Sequence, residues 1–216
     1  MLSGTTAHSW IVVCNYEQGE VQMKEIITEE LLKWNSDFSN EEIAYGLSFF
    51  EQKEFKPNSL ILESGKISDY LFFADTSITR CFYLDNKGEE QTLWMKPEQT
   101  FITEFKSFST QSNSQFSLQF YEQTSVMMIK RENLMSLYKE STNWALFGIL
   151  LMERIHISLI DVFVNLLSND ATDNYRYIEY AFPRFIQVAP LRDIASMLQI
   201  STVSLSRIRA GKQLKG

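Results

Sequence analysis

Histidine and cysteine are both scarce, two of each in 216 residues. Cys14 and Cys81 cannot by themselves furnish a zinc site or a four-thiolate iron–sulfur cluster. They are able to pair, but nothing points to an exported protein, so two free thiols in a reducing cytoplasm are expected. With only His8 and His156, a multi-histidine metal enzyme on a β-barrel is nearly excluded. No metal site, no cofactor and no catalytic residue are expected, and an enzyme is disfavoured. No apolar run approaches the length of a membrane span, and no membrane contact is expected. The apolar patch Trp10–Cys14 has no positive charge before it, which argues against a secretory signal and for the cytoplasm.

A positive overall balance is also missing. The formal net charge is −7, which taken globally argues against nucleic acid. The distribution argues otherwise. From Arg184 to Gly216 there are six basic residues (Arg184, Arg192, Arg207, Arg209, Lys212, Lys215) against one acidic residue, Asp193, a local +5 that leaves −12 for the rest. A basic end on an acidic body is the asymmetry of a protein that meets phosphates with one small part.

That end carries the most informative stretch, Pro190 to Gly211. Leu191, Ile194, Ala195 and Leu198 recur at the spacing of one helix face, and Val203, Leu205 and Ile208 do so less regularly. Between them, Ile200 is placed to plug the angle between two helices and Ser201 to cap the second. This is a helix-turn-helix pattern, in which a bracing helix is followed by one that offers small polar and basic side chains to a major groove. An ordinary pair of packed helices has the same apolar spacing; the basic tail favours DNA.

An apolar fraction of 44% fits a globular chain of one large or two modest domains. Residues 1–22 are expected to be a poorly ordered extension or a mis-called start, with helices over Ile26–Trp34 and Ser39–Phe49. Ser39 and Glu42 form a capping box. From Gln52 to Ile129 the period changes, and strands are predicted near 53–56, 59–63, 70–75, 78–84, 90–95, 116–121 and 124–130. Asn86-Lys87-Gly88 marks a hairpin tip. Many short strands imply an antiparallel sandwich or barrel. Helix returns at Arg131–Tyr138 and over Asn143–Leu167, a run apolar almost all round. One face of it can cover the barrel. The other needs a second copy of the same helix, or else burial on all sides within one subunit. Ser168-Asn169-Asp170 breaks this helix, and Asp173–Phe182 forms another, closed by Pro183.

This order of elements resembles the Crp/Fnr superfamily of bacterial transcription regulators, over roughly Glu25 to Lys212. The likeness is carried by Leu62-Glu63-Ser64-Gly65 with Tyr70-Leu71-Phe72-Phe73 at the opening of the roll, and by Ile194-Ala195 with Ser204-Leu205-Ser206-Arg207-Ile208 near the end. The terminal motif resembles a Bacteroidetes-type branch. The resemblance implies an α+β fold. Residues 23–138 would form an antiparallel β-roll (double-stranded β-helix or jelly roll), 139–168 a long dimerisation helix, and 169–216 a helix-turn-helix domain. It implies a homodimer, a pseudo-palindromic double-stranded operator, RNA polymerase as a further partner, and an unknown small-molecule effector.

By the same resemblance the effector segment is Thr103, Glu104, Phe105, Ser114 and Gln115. Glu104 matches the family's ribose-binding glutamate. Thr103 stands where the family has glycine, and Ser114 where it has the phosphate-binding arginine, so cyclic AMP is not expected. In the second helix of the motif, Arg207 is kept for guanine, and Val203 stands where a glutamate is usual. Ser201, Thr202, Ser204 and Ser206 are expected at bases or phosphates, with Arg209 and Lys212 on phosphates. An effector-sensing or protein-docking roll with weak or lost DNA binding is the alternative.

Overall fold

The computed structural model describes residues 6–97 and 100–211, with residues 6–18 given by their backbone path alone. Helix α1 runs without a break from Thr6 to Trp34, so the boundary expected at residue 22 falls inside a helix. Its C-terminal half is anchored by Met23, Ile27 and Leu31, buried at four-residue intervals. Residues 1–5 lie outside the described ones. Helix α2, Asn40–Leu47, opens on the expected capping box: the Ser39 hydroxyl accepts from the Glu42 amide at 3.1 Å and the Glu42 carboxylate from the Ser39 amide at 3.1 Å.

Eight strands follow among the described residues: β1 Phe50–Phe55, β2 Leu60–Leu62, β3 Tyr70–Ala74, β4 Thr79–Leu84, β5 Glu90–Lys96, β6 Thr100–Ile102, β7 Ser117–Phe120 and β8 Thr124–Lys130, with the short helix α3, Phe105–Thr110, between β6 and β7. They build two antiparallel four-stranded sheets, ordered β1-β8-β3-β6 and β2-β7-β4-β5. Seven strands lie where the sequence predicts them. The eighth, β6, is not among the predictions, and β1 starts at Phe50 rather than 53. Between β4 and β5, Asp85 ties the tip by accepting from the amides of Lys87 (2.8 Å) and Glu89 (3.0 Å). Gly88 at φ 79° takes the left-handed turn residue.

The alternation along β3 and β8 explains the sandwich. Phe72, Ala74, Val126 and Met128 point between the sheets, where they meet Leu62, Cys81, Leu118 and Phe120. Their neighbours Leu71, Phe73, Met127 and Ile129 point the other way, into a layer of helices. That layer holds α1, α2, α4 (Arg131–Glu140) and the first half of α5 (Thr142–Ser168). Trp144, Phe147, Leu151 and Ile155 are the buried face of α5. Beyond Ile155 the helix leaves the roll, and Val162 and Leu166 pack instead on the C-terminal core.

Asn169 ends α5 in extended conformation, and Asp170 caps α6, Ala171–Ala181. Pro183, expected to close that helix, instead opens a short one, α7 (Pro183–Val188). Proline is tolerated at the first helical position, where its missing N–H costs no hydrogen bond. Then come α8, Leu191–Met197, and α9, Thr202–Arg209. No helix among the described residues is long and apolar enough to cross a membrane.

Candidate nucleic-acid interface

The joint between α8 and α9 is built by local chemistry. The Gln199 amide donates to Ser196 and the Ile200 amide to Ala195, closing α8 with Gln199 in the left-handed region at φ 54°. Ile200 packs half-buried into the angle between the helices. The Ser201 hydroxyl accepts from the Ser204 amide at 3.1 Å and caps α9. Leu205 and Ile208 turn inward onto Ile194, Ala195, Leu198 and Phe185. With the apolar face so fixed, the opposite face is free.

On that face Ser201, Thr202, Val203, Ser206 and Arg207 are exposed, Val203 to 60%, and Ser204 is half-buried against the cap. A helix face with short polar side chains, one wholly apolar residue and one arginine has what base edges require: donors, acceptors and an apolar contact for thymine. Arg209 is exposed too, but it leans towards α6 beside the Tyr175 hydroxyl, whose own partner is Glu179 at 3.1 Å. Lys212 lies outside the described residues.

The expected effector residues divide. Thr103, Glu104 and Phe105 line a cavity of about 200 Å³ between the roll and α5, together with Trp94, Lys96, Phe116 and Met152. Ser114 and Gln115 are not part of its lining. Ser114 is buried in a turn, its hydroxyl engaged by the main chain of Phe116 at 2.9 and 3.0 Å, and Gln115 is exposed. Glu104 is occupied as well. It caps α3, accepting from the amides of Lys106 (3.0 Å) and Ser107 (2.9 Å). The walls are largely aromatic and aliphatic, and burial holds the Lys96 amine below its usual pKa. Among the described residues no three His, Cys, Asp or Glu side chains gather as a metal site would need.

Two residues outside the predicted set tie the terminal helices to the roll. Arg80, fully buried on β4, faces Asp193, buried on α8, with Nη2 and Oδ1 3.2 Å apart. A signal for the second was available: Asp193 is the one acidic residue of the basic end. Nothing in the sequence joins it to Arg80.

No protein-family model and no curated protein matches the chain. Solved structures do match. The c-di-GMP responsive global regulator CLP of Xanthomonas campestris superposes with a TM-score of 0.61 at 14% identity, over 80% of this chain and 91% of that one. FixK2 from Bradyrhizobium japonicum gives 0.58 at 16%, over 75% and 83%. A cyclic nucleotide-binding domain from Methylobacillus flagellatus gives 0.56 at 22%, over 65% and 80%. At such identities the likeness speaks for architecture, and the chain carries the fold of the Crp/Fnr-type regulators.

Proposed function

We propose that the protein is a homodimeric, sequence-specific DNA-binding regulator whose roll does not bind cyclic AMP. The observation that carries this reading is the exposed face of α9. A capped helix is held by a buried apolar face while Thr202 and Val203 in its first turn, and Ser206 and Arg207 further along, stand exposed. Two such heads related by a two-fold axis read a pseudo-palindrome with half-sites about one helical turn apart. Arg207 reads guanine, Val203 meets a thymine methyl, and the serines and Thr202 bond to bases and phosphates. Lys212 contacts phosphate.

The reading against cyclic AMP is supported chiefly by the missing phosphate-binding cation. A cyclic phosphate needs a cation or a set of free donors, and Ser114 offers one hydroxyl that is spent on its own turn. Glu104, which stands at the ribose-binding position, already accepts one amide of α3 on each oxygen, which leaves fewer acceptor sites for a ribose. The cavity beside them suits a small, mainly apolar effector.

The test is a fluorescence-anisotropy titration against DNA from upstream of the protein's own gene, with random DNA as control, at two salt concentrations. Tight binding to the first, weakening steeply with salt and unchanged by cyclic AMP, is expected. Equal, weak binding to both duplexes under all conditions would favour a roll whose DNA head has lost its function.

A further inference from the structure

The contact between the roll and α8 is polar at its centre, which is unusual for two packed elements. Arg80 has no exposed surface. Its Nε donates to Thr92 Oγ1 at 2.9 Å, its Nη1 to Glu90 Oε2 at 2.7 Å, and its Nη2 lies 3.2 Å from Asp193 Oδ1. The guanidinium also sits 4.3 Å from the centre of the Phe82 ring. The contact of Nη2 with Asp193 is an ion pair without a hydrogen bond. Asp193 accepts its hydrogen bond from the roll at Oδ2, from the Tyr121 hydroxyl at 3.0 Å, and Arg192 of α8 lies 3.3 Å from its other oxygen, Oδ1. One turn along α8, Ser196 accepts from the Thr92 amide at 3.1 Å and lies 3.0 Å from its hydroxyl. A further ion pair, Arg184 to Glu122 at 2.8 Å, joins α7 to the roll.

We infer that the Arg80–Asp193 pair is a latch that fixes the DNA-reading head to the roll of its own chain and sets the outward orientation of α9. The argument is one of geometry. Apolar contacts such as those of Ile78 and Met95 with the head tolerate sliding, because burial is not directional. A guanidinium fork held on three sides does not. It presents Nη2 to Asp193 in one place as an ion pair, the directed hydrogen bond to Asp193 comes from Tyr121, and Asp193 sits on the helix that α9 packs against. The pair is nearly water-free, so parting it removes one counter-charge from each side and leaves Arg80 to Glu90 and Asp193 to the exposed Arg192, 3.3 Å away. Two heads that must meet two half-sites at a fixed separation gain from being held in advance. Arg80 and Asp193 are thus positioning residues, well away from the reading face.

The inference rests on the DNA-binding reading for its purpose, and its test separates the two. Hydrogen exchange is followed on the full chain, without DNA, in the wild type and in Asp193→Asn. Tyr121→Phe, which removes a single hydrogen bond, stands in should the first variant not fold. Exchange in α8 and at Thr92 is expected to rise by about tenfold or more, while the amides of Val126 to Ile129 in β8 keep their protection. No rise in α8, or an equal rise in β8, would overturn the latch. In parallel, affinity is measured for a duplex that the wild type enriches from a random pool and for random DNA. The ratio of the two is expected to fall severalfold in the variant with random-DNA binding unchanged. A loosened α8 with an unchanged ratio would overturn the positioning role. A wild type that enriches no duplex would sink the DNA reading instead, and exchange would still decide the latch.

Discussion

At the scale of single residues, two positions show opposite uses of a helix surface. Gly46 lies where α2 crosses α5, and a Cβ built there would stand 2.0 Å from the Trp144 ring. The ring cannot step aside: it is 1% exposed, and its Nε1 donates to the Glu42 carbonyl at 3.2 Å. Phe38 and Phe147 meet it edge-on at 5.4 and 5.6 Å. Gly46→Ala is therefore expected to destabilise the chain by about 1–3 kcal/mol, the usual range for an overpacked core, as read from denaturant midpoints. An unchanged midpoint would mean that α2 shifts freely on α5. Arg207 is the converse, an exposed side chain with its work outside the molecule. Arg207→Ala should leave the melting temperature alone and cost about 1–3 kcal/mol of affinity for the preferred duplex, with relaxed preference at one base pair. Equal affinity for variant and wild type would remove Arg207 from the groove.

At the scale of elements, α2 offers a pH prediction because its capping residue also holds α5. Besides the Ser39 amide, Glu42 accepts from Asn143 Nδ2 and from the Ser141 hydroxyl, both at 2.9 Å. The Ser39 backbone bond first, then those of Asn143 and Ser141, hold its carboxyl below the usual carboxylate range. A carboxyl with a lowered folded pKa contributes stability above its ordinary range and loses it as acid protonates it. The stability gap between wild type and Glu42→Gln should accordingly be present at neutral pH and close in acid, as followed by denaturant unfolding across pH. A gap independent of pH would assign the effect to shape rather than charge. The same elements show how much of the fold was legible in the sequence. Capping chemistry is local, so Ser39 and Ser201 were readable as helix starts. Strand β6 was not, since Thr100–Ile102 is too short to display a period of two. Helix α7 was hidden because Pro183 reads equally as the end of one helix and the start of another. The split of the effector segment was hidden too, because Ser114 and Thr103 are brought near or kept apart by the turn around them and not by their order. The Arg80–Asp193 pair was the least legible, since a buried arginine on a strand carries no mark of its distant partner.

At the scale of the whole molecule, α5 poses the remaining question of balance. Its inner face ends at Ile155, yet Ile149, Met152, Ile160, Phe163 and Leu167 remain 57, 46, 47, 60 and 70% exposed. A monomer seldom shows so many large apolar side chains on one helix face, and here, interrupted only by the exposed His156, they run from the roll to the head. A second copy of α5 across a two-fold axis would cover it with the same residues from both sides, as a closed pair requires. The seam would also place the two latched heads symmetrically, so dimerisation and operator recognition would share one axis. Phe163 is the residue on which to test this, because it is among the most exposed of the strip and lies beyond the roll's own core. Phe163→Asp should turn the dimer into a monomer in analytical ultracentrifugation, while the monomer keeps its secondary structure. Affinity for a palindromic duplex should then fall to that for a single half-site, because each head binds alone. A variant that still sediments as a dimer would move the seam off this face of α5 and, with it, the expected spacing of the half-sites.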